Sequence, residues 1–253
     1  MTSWENVKEQ LKSFLKTELE KTGLEHVTVG LSGGLDSAVV AILCKDTFGD
    51  NMSVVLMPSQ FSSKESISDA KELCEKFDIK YEIVSIAPMI EAYIQNMDEN
   101  RLRIGNYSAR VRMSVLYDIS SRDNAIVVGT SNKSELLLGY GTIFGDIACA
   151  INPIGNMYKS DEYDFGRYLG VTDAILTKKP SADLWEGQSD EEDLGYSYKN
   201  MDEVLKLLVE EKKSKHEVLN LGYSEKLIDL LEYRMKTNAF KGKLPVIAKI
   251  KWS

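Results

Sequence analysis

The apolar positions of this chain change period several times, and each change marks an element. Near the start Trp4, Val7, Leu11, Phe14, Leu15 and Leu19 recur at helical spacing, with Ser3 placed to cap and Gly23 to stop. An amphipathic helix is predicted there. Short β-type runs follow at residues 27–31 (VTVGL), 53–57 (SVVLM), 81–85 (YEIVS) and 125–129 (AIVVG), and helical patterns lie between them at 37–48, 64–77, 88–97 and 106–121. Strands apolar on both faces that alternate with helices predict an α/β fold: a parallel twisted sheet with helices on both faces. From about residue 130 the texture changes, and polar, Gly-rich loops alternate with helical patterns at 160–169, 199–212 and 224–238. This helical C-terminal elaboration is expected to line a site more than to extend the sheet. With no internal repeat and no low-complexity linker, residues 1–253 read as a single domain, and the acidic run SDEED at 189–193 reads as a solvated loop face.

Composition changes this picture little. A chain of 253 residues, 43% hydrophobic and 28% charged, belongs to the ordinary globular class and needs no staples to fold. The net charge of −8 excludes a general nucleic-acid binder, which needs a basic stripe along its surface. Only residues 236–251 (KTNAFKGKLPVIAKIK) are locally basic, enough to meet one anionic group. Cys44, Cys74 and Cys149 are odd in number and far apart, and read as reduced thiols. The N-terminal segment has no apolar signal core and no run approaches 18 uncharged apolar residues, so the expected location is cytoplasmic, with no membrane partner. Asn-x-Ser matches at Asn51, Asn106 and Asn132 then read as chance.

The chemistry starts at residues 29–37, VGLSGGLDS. Strand, Gly-rich turn and helix in that order aim backbone N–H groups and the positive end of a helix at an anion. Gly33 and Gly34 allow close approach, and Ser32 and Ser37 add hydroxyls. Asp36 would repel a phosphate unless a divalent cation lay between them, so it predicts Mg²⁺ bridging a nucleotide triphosphate. Read alone, the turn is equally compatible with a capped helix start. It matches neither the dinucleotide fingerprint nor the Walker pattern.

What the loop does match is S-G-G-x-D-S, and it resembles the pyrophosphate loop of the N-type ATP pyrophosphatases at every fixed position. That resemblance implies an adenine nucleotide alpha hydrolase-like, Rossmann-like fold and cleavage of ATP between its α and β phosphates. Within the superfamily, GTSNKSE (129–135), GYGTIFGD (139–146), PIGNMYK (153–159), KPSADLW (179–185), QSDEEDLG (188–195) and NAFKGKLP (238–245) resemble the NAD synthetases over nearly the full chain.

The resemblance implies ATP contacts at Gly30, Leu31, Ser32, Gly33, Gly34, Leu35, Ser37, Met57, Thr130, Lys159 and Ser181, with Asp36 and Glu135 as metal ligands. It implies deamido-NAD contacts at Arg110, Phe240 and Lys241, catalytic roles for Asp36 and Lys159, and a positioning role for Asp146 near the reacting ends. Charge logic agrees for Lys159, because a fixed cation at the leaving pyrophosphate lowers the barrier. Out of this context Lys159 would read as a surface lysine, and Glu135 as an acid complementing a helix dipole. Arg112 is placed to assist Arg110, but the two lie two apart on a helix and point to different faces, so at most one is expected to enter the site directly; the alternative is a pair of solvent-facing salt-bridge partners. Ile143, Ala150 and Phe240 depart from the pattern, since better-known members carry Lys, Asp and His there; Lys241 is retained.

The implied activity is a ligase forming a C–N bond: ATP- and Mg²⁺-dependent amidation of deamido-NAD by ammonia, giving NAD, AMP and pyrophosphate through an adenylate. A homodimer is implied as well. Because the synthetase pattern occupies almost all of the chain, no glutamine amidase domain is expected and free ammonia is the nitrogen source. The alternatives are another adenylating amidotransferase of the superfamily, or an ATP-binding sensor without turnover. Residues 59–66 and 183–195, polar and without strong periodicity, are the candidates for loops that close over the adenylate.

Overall fold

In the computed structural model, which describes residues 3–97, 100–181, 185, 187–243 and 245–251, the chain alternates helix and strand as far as residue 128. Asp183, Leu184 and Glu186 of the expected closing loop, and Ala182 and Leu244 of the quoted motifs, lie outside the described residues. The elements are α1 (Trp4–Glu20), β1 (His26–Gly30), α2 (Leu35–Phe48), β2 (Met52–Leu56), α3 (Lys64–Lys76), β3 (Tyr81–Ile83), α4 (Ala87–Ile94), α5 (Arg101–Arg122) and β4 (Ala125–Val128). There follow α6 (Lys133–Leu138), α7 (Lys159–Leu169), α8 (Asp173–Thr177), α9 (Asp190–Leu194), α10 (Tyr198–Leu205), which runs on into a π-helical turn at Lys206–Glu210, α11 (Lys215–Asn220) and α12 (Glu225–Asn238).

The four strands are parallel, in the order β3-β2-β1-β4. Val27 and Val29 of β1, Val54 and Leu56 of β2 and Val128 of β4 are buried, as expected of strands covered on both faces. Edge strand β3 leaves Tyr81 and Ile83 exposed and is shorter than the expected run. Helix α2 reads AVVAILC because nothing around it is solvent: the sheet lies on one side, α1 and α7 on the other, and Leu35 and Ser37–Cys44 are all buried. Ser3 caps α1, its hydroxyl accepting from the Asn6 N–H, and Trp4, Val7 and Leu11 pack on this core, so α1 covers the α2 layer. Helices α4 and α5 cover the opposite face around Ile86, Ile90, Val111 and Ile119.

Helix α5 begins at Arg101 instead of Asn106, with the Asn100 side chain accepting from the Arg103 N–H. Its charged first turn hides the apolar period. A second core, built on Leu138, Tyr198, Met201, Leu205, Ile228 and Leu231, holds α6, α10 and α12 together. The acidic run departs from expectation, because residues 190–194 form α9 with Asp190 and Leu194 buried, where a solvated loop was expected.

Strand β1 lies between β2 and β4, so the connections leaving β1 and β4 part company at the carboxyl ends of neighbouring strands. In a sheet of this kind that is where a ligand crevice opens.

Candidate active site

The turn after β1 is held by its own serines. The Ser32 N–H donates to Ser37 Oγ at 3.1 Å, the Gly34 N–H donates to Ser32 Oγ at 3.2 Å, and Ser37 Oγ donates to the Gly34 carbonyl at 3.1 Å. Gly33 sits at φ +84° with the Ser66 carbonyl against its α-carbon, a place where no Cβ fits. Helix α2 then starts without a side-chain cap, which leaves its first-turn N–H groups for an anion.

Asp36, in that first turn, is reached from two later segments. Lys159 Nζ is 2.5 Å from Asp36 Oδ2, and Asn132 Nδ2 donates to Asp36 Oδ1 at 2.7 Å. Asn132 also caps α6, accepting from the Glu135 N–H at 3.0 Å while Glu135 Oε2 accepts from the Asn132 N–H at 3.2 Å. Glu135 is therefore both a capping-box acid and a neighbour of Asp36. Lys159 opens α7, where its N–H donates to Ser134 Oγ; Ser134 Oγ in turn donates to buried Asp202 Oδ1 at 2.6 Å, and Asp202 Oδ2 accepts from the Ser160 N–H at 2.8 Å. One turn along α7, Glu162 is fully buried with Oε2 3.4 Å from Lys159 Nζ.

Burial opposes charge on every member of this cluster, and the partners decide the outcome. Burial works to raise the Asp36 carboxyl, but the Lys159 ammonium, then the Glu162 carboxyl and the Asn132 hydrogen bond hold it below the usual range. Burial and then the Asp36 charge push both Glu135 and Glu162 well above it. Burial would lower Lys159, yet Asp36, Glu162 and Glu135 together keep it firmly protonated.

Asp36, Glu135 and Lys159 border a cavity of about 720 Å³. Of the residues singled out in the sequence, Gly30 through Ser37, Met57, Thr130, Glu135, Asp146, Lys159, Ser181 and Lys241 line it. Arg110 and Phe240 are not among its lining residues: Phe240 is 59% exposed, and Arg110 is exposed, its Nε donating to the Ile143 carbonyl at 3.3 Å. One arginine of the pair does enter, but it is Arg112, donating to the Met57 carbonyl at 3.1 Å and to Ser62 Oγ at 3.3 Å. Asp146 Oδ1 accepts from the Thr142 N–H and so shapes the 141–146 loop, and Lys241 Nζ donates to the carbonyls of Gly139 and Gly141. Ile143, Ala150 and Phe240, the departures from the resembled pattern, are absent from the lining.

Several lining residues had not been singled out. Lys178 Nζ reaches Ser66 Oγ at 2.8 Å and Asp69 Oδ2 at 3.0 Å, tying the 178–181 segment to the start of α3 beside Gly33. Tyr140 Oη donates to Asp190 and Asp193, which draws the acidic run onto the cavity wall. The N-x-x-E spacing from Asn132 to Glu135 is a capping-box signal that could have found Asn132; nothing local announces Lys178.

A family model described as NAD synthase matches residues 7–245. The NH(3)-dependent NAD(+) synthetase of Wolinella succinogenes is 49% identical over 243 residues, spanning 96% of this chain and 95% of that protein. Among solved structures, an NMN synthetase from Francisella tularensis is similar with a TM-score of 0.88 at 33% identity, covering 99% of this chain and 100% of that one. The NH3-dependent NAD synthetase from Campylobacter jejuni, in complex with the nitrate ion, is similar with a TM-score of 0.85 at 40% identity, covering 98% and 100%.

Proposed function

The chain belongs to the NAD synthase family and catalyses the ATP-dependent amidation of deamido-NAD by ammonia; we propose that the chemistry runs in the cavity at the carboxyl ends of β1 and β4. The observation that carries this assignment is the convergence of Asp36, Glu135 and Lys159, from three separate segments, beside a glycine turn with open helix N–H groups.

The deamido-NAD carboxylate attacks the α-phosphorus of ATP, giving an adenylate and pyrophosphate, and ammonia then displaces AMP. No side-chain nucleophile takes part. The chain's work is positioning and charge stabilisation. The N–H groups of Leu35, Asp36 and Ser37, with the hydroxyls of Ser32 and Ser37, hold the phosphates. Gly30, Leu31, Met57, Thr130 and Ser181 bound the nucleoside half, and Lys159 stands by the leaving oxygens. Asp146 and Lys241 shape the 139–146 wall for the acceptor, while Arg110 and Phe240 meet only parts of the dinucleotide that project beyond the cavity.

Two carboxylates with phosphate oxygens suit Mg²⁺, which prefers oxygen donors and few protein ligands; Asp36 and Glu135, both on the cavity lining, would hold it. Bound there, the ion supplies neutralisation of triphosphate charge.

The test is incubation of the protein with Mg-ATP, ammonium and deamido-NAD, omitting each in turn. NAD equal in amount to AMP, lost in Asp36→Ala, supports the assignment; ATP binding without dinucleotide-dependent AMP sinks it. A second reading takes the mononucleotide as acceptor. It is favoured by the exposure of Arg110 and Phe240 and by the likeness to an NMN synthetase. The ratio of kcat/KM for the two acceptors decides between them.

The reading includes a homodimer, supported by exposed Ile83, Met89, Tyr93 and Leu102 on β3, α4 and the start of α5. Sedimentation at a single protomer mass refutes it. It also includes a cytoplasmic setting, supported by three unpaired cysteines.

A further inference from the structure

Glu162 has no task in the chemistry above, yet its burial is costly. It is 0% exposed, and its carboxyl lies against that of Asp36 without either oxygen reaching the geometry of a full hydrogen bond. A packed apolar side chain of similar size would serve folding as well or better at such a position. Two charged groups face it: Asp36, whose carboxylate it meets, and Lys159, one helical turn earlier on α7, with 3.4 Å between Oε2 and Nζ.

Lys159 is itself 3% exposed and spends its short contact on Asp36 Oδ2. Asn132 holds the other oxygen of Asp36. For Asp36 to ligate a divalent cation it must release at least part of this pairing, and the buried ammonium then needs another acceptor. Glu162 is the near one. The exchange asks for no backbone movement, because both residues sit on the same face of one helix.

We propose that Glu162 is a positioning residue for Lys159: its carboxyl is the second anchor that keeps the ammonium at the cavity wall when Asp36 turns to the metal. The inference rests on the reading of Asp36 as a metal ligand. It follows that removing the acceptor at residue 162 makes Asp36 harder to free, and so weakens binding of metal and nucleotide together without weakening the fold.

The experiment measures binding of α,β-methylene-ATP to the full chain by calorimetry, with and without Mg²⁺, for wild type, Glu162→Gln and Glu162→Met, alongside the unfolding temperature of each. The expected result is that Glu162→Met binds the Mg²⁺-analogue complex on the order of tenfold more weakly, about 1.4 kcal/mol, while unfolding no lower than wild type. Glu162→Gln, which keeps an acceptor, should stay within about threefold of wild type by the same scale. Unchanged binding in Glu162→Met overturns the proposal, as does a Gln variant as weak as the Met variant, or a binding loss that only follows lost stability. If wild type binds the analogue equally well without Mg²⁺, the reading of Asp36 fails and the proposal with it; metal-dependent wild-type binding with an unaffected Met variant overturns the role of Glu162 alone.

Discussion

Replacing Gly33 by Ala tests the phosphate turn at its tightest point. The residue sits at φ +84°, and an added Cβ would lie 2.1 Å from the Ser66 carbonyl oxygen, 2.8 Å from its carbon and 3.0 Å from its α-carbon. All three are backbone atoms, so no side chain can swing away. Ser66 has little freedom to yield: its N–H donates to Ser63 Oγ at 3.0 Å, and its own Oγ accepts from Lys178 Nζ at 2.8 Å. The left-handed conformation costs an L-residue about 1–2 kcal/mol, and overpacking adds about 1–3 kcal/mol. In a chain of this length a loss of that total lowers the Tm by roughly 4–20 °C. Gly34 is the internal control, since it has an ordinary φ of −95° and an added Cβ meets only Ser32 Oγ at 3.3 Å. Scanning calorimetry of both variants, with ATP-dependent AMP release, should find Gly33→Ala destabilised and inactive and Gly34→Ala within about 1 kcal/mol of wild type by the small cost of an ordinary helix-start substitution. Equal unfolding temperatures for the two variants would refute the steric reasoning.

Three further outcomes are expected. Phe165 is fully buried, 5.6 Å from the Trp4 ring, so Phe165→Ala should cost about 3–5 kcal/mol in urea denaturation; a cost under 1 kcal/mol would mean that α1 does not pack on α7 in this way. Asp202→Asn can keep the Ser134 bond but presents an N–H₂ to the Ser160 N–H, so about 1–3 kcal/mol of stability should go; kcat should fall with it, through Lys159, and an unchanged kcat would remove that link. Burial, with Glu75 adding to it, pushes the Cys74 thiol up to about 11, and burial raises Cys44 further. Roughly one Cys74 in a thousand is then thiolate at pH 8. Both should resist a disulfide reagent until the protein unfolds, and reaction of both within minutes in native buffer would contradict the packing of α2 and α3.

The strands and α2 were legible because their apolar runs need no neighbour to be recognised: VTVGL, AIVVG and AVVAILC read as buried whatever covers them. Helices α6, α8, α9 and α11, of five or six residues, complete too few turns to show a period. The arginine pair marks a sharper limit. Spacing says that Arg110 and Arg112 face differently, but which face meets the cavity depends on how α5 rotates on β4, a tertiary choice. Glu162 is further still from view, since a polar residue in the first turn of a helix is ordinarily solvated, and it is buried here only because α2 lies across it. The acidic run shows the same effect, its Asp190 drawn inward by Tyr140 from a loop fifty residues away.

The site is divided between two cores, and this explains why the C-terminal half must be ordered for chemistry whose phosphate turn belongs to the sheet. The sheet and α2 provide the turn and Asp36, groups fixed by the first core. Lys159 is held by both: it opens α7, whose Phe165 packs in the first core, while its backbone N–H donates to Ser134, Ser134 to Asp202, and Asp202 is carried by α10 within the second core. The acceptor wall depends on that core as well. Gly139 ends α6 at φ +59° with the Asn238 side chain so close that a Cβ would lie 2.1 Å from it, and Lys241 just beyond α12 holds the Gly139 and Gly141 carbonyls. A loosened second core would therefore leave the phosphate turn standing but release the Ser134 anchor of Lys159 and open the wall opposite. Nucleotide binding and turnover would then fail separately, because the phosphate turn answers to the first core alone, whereas Lys159 needs both cores and the acceptor wall needs the second.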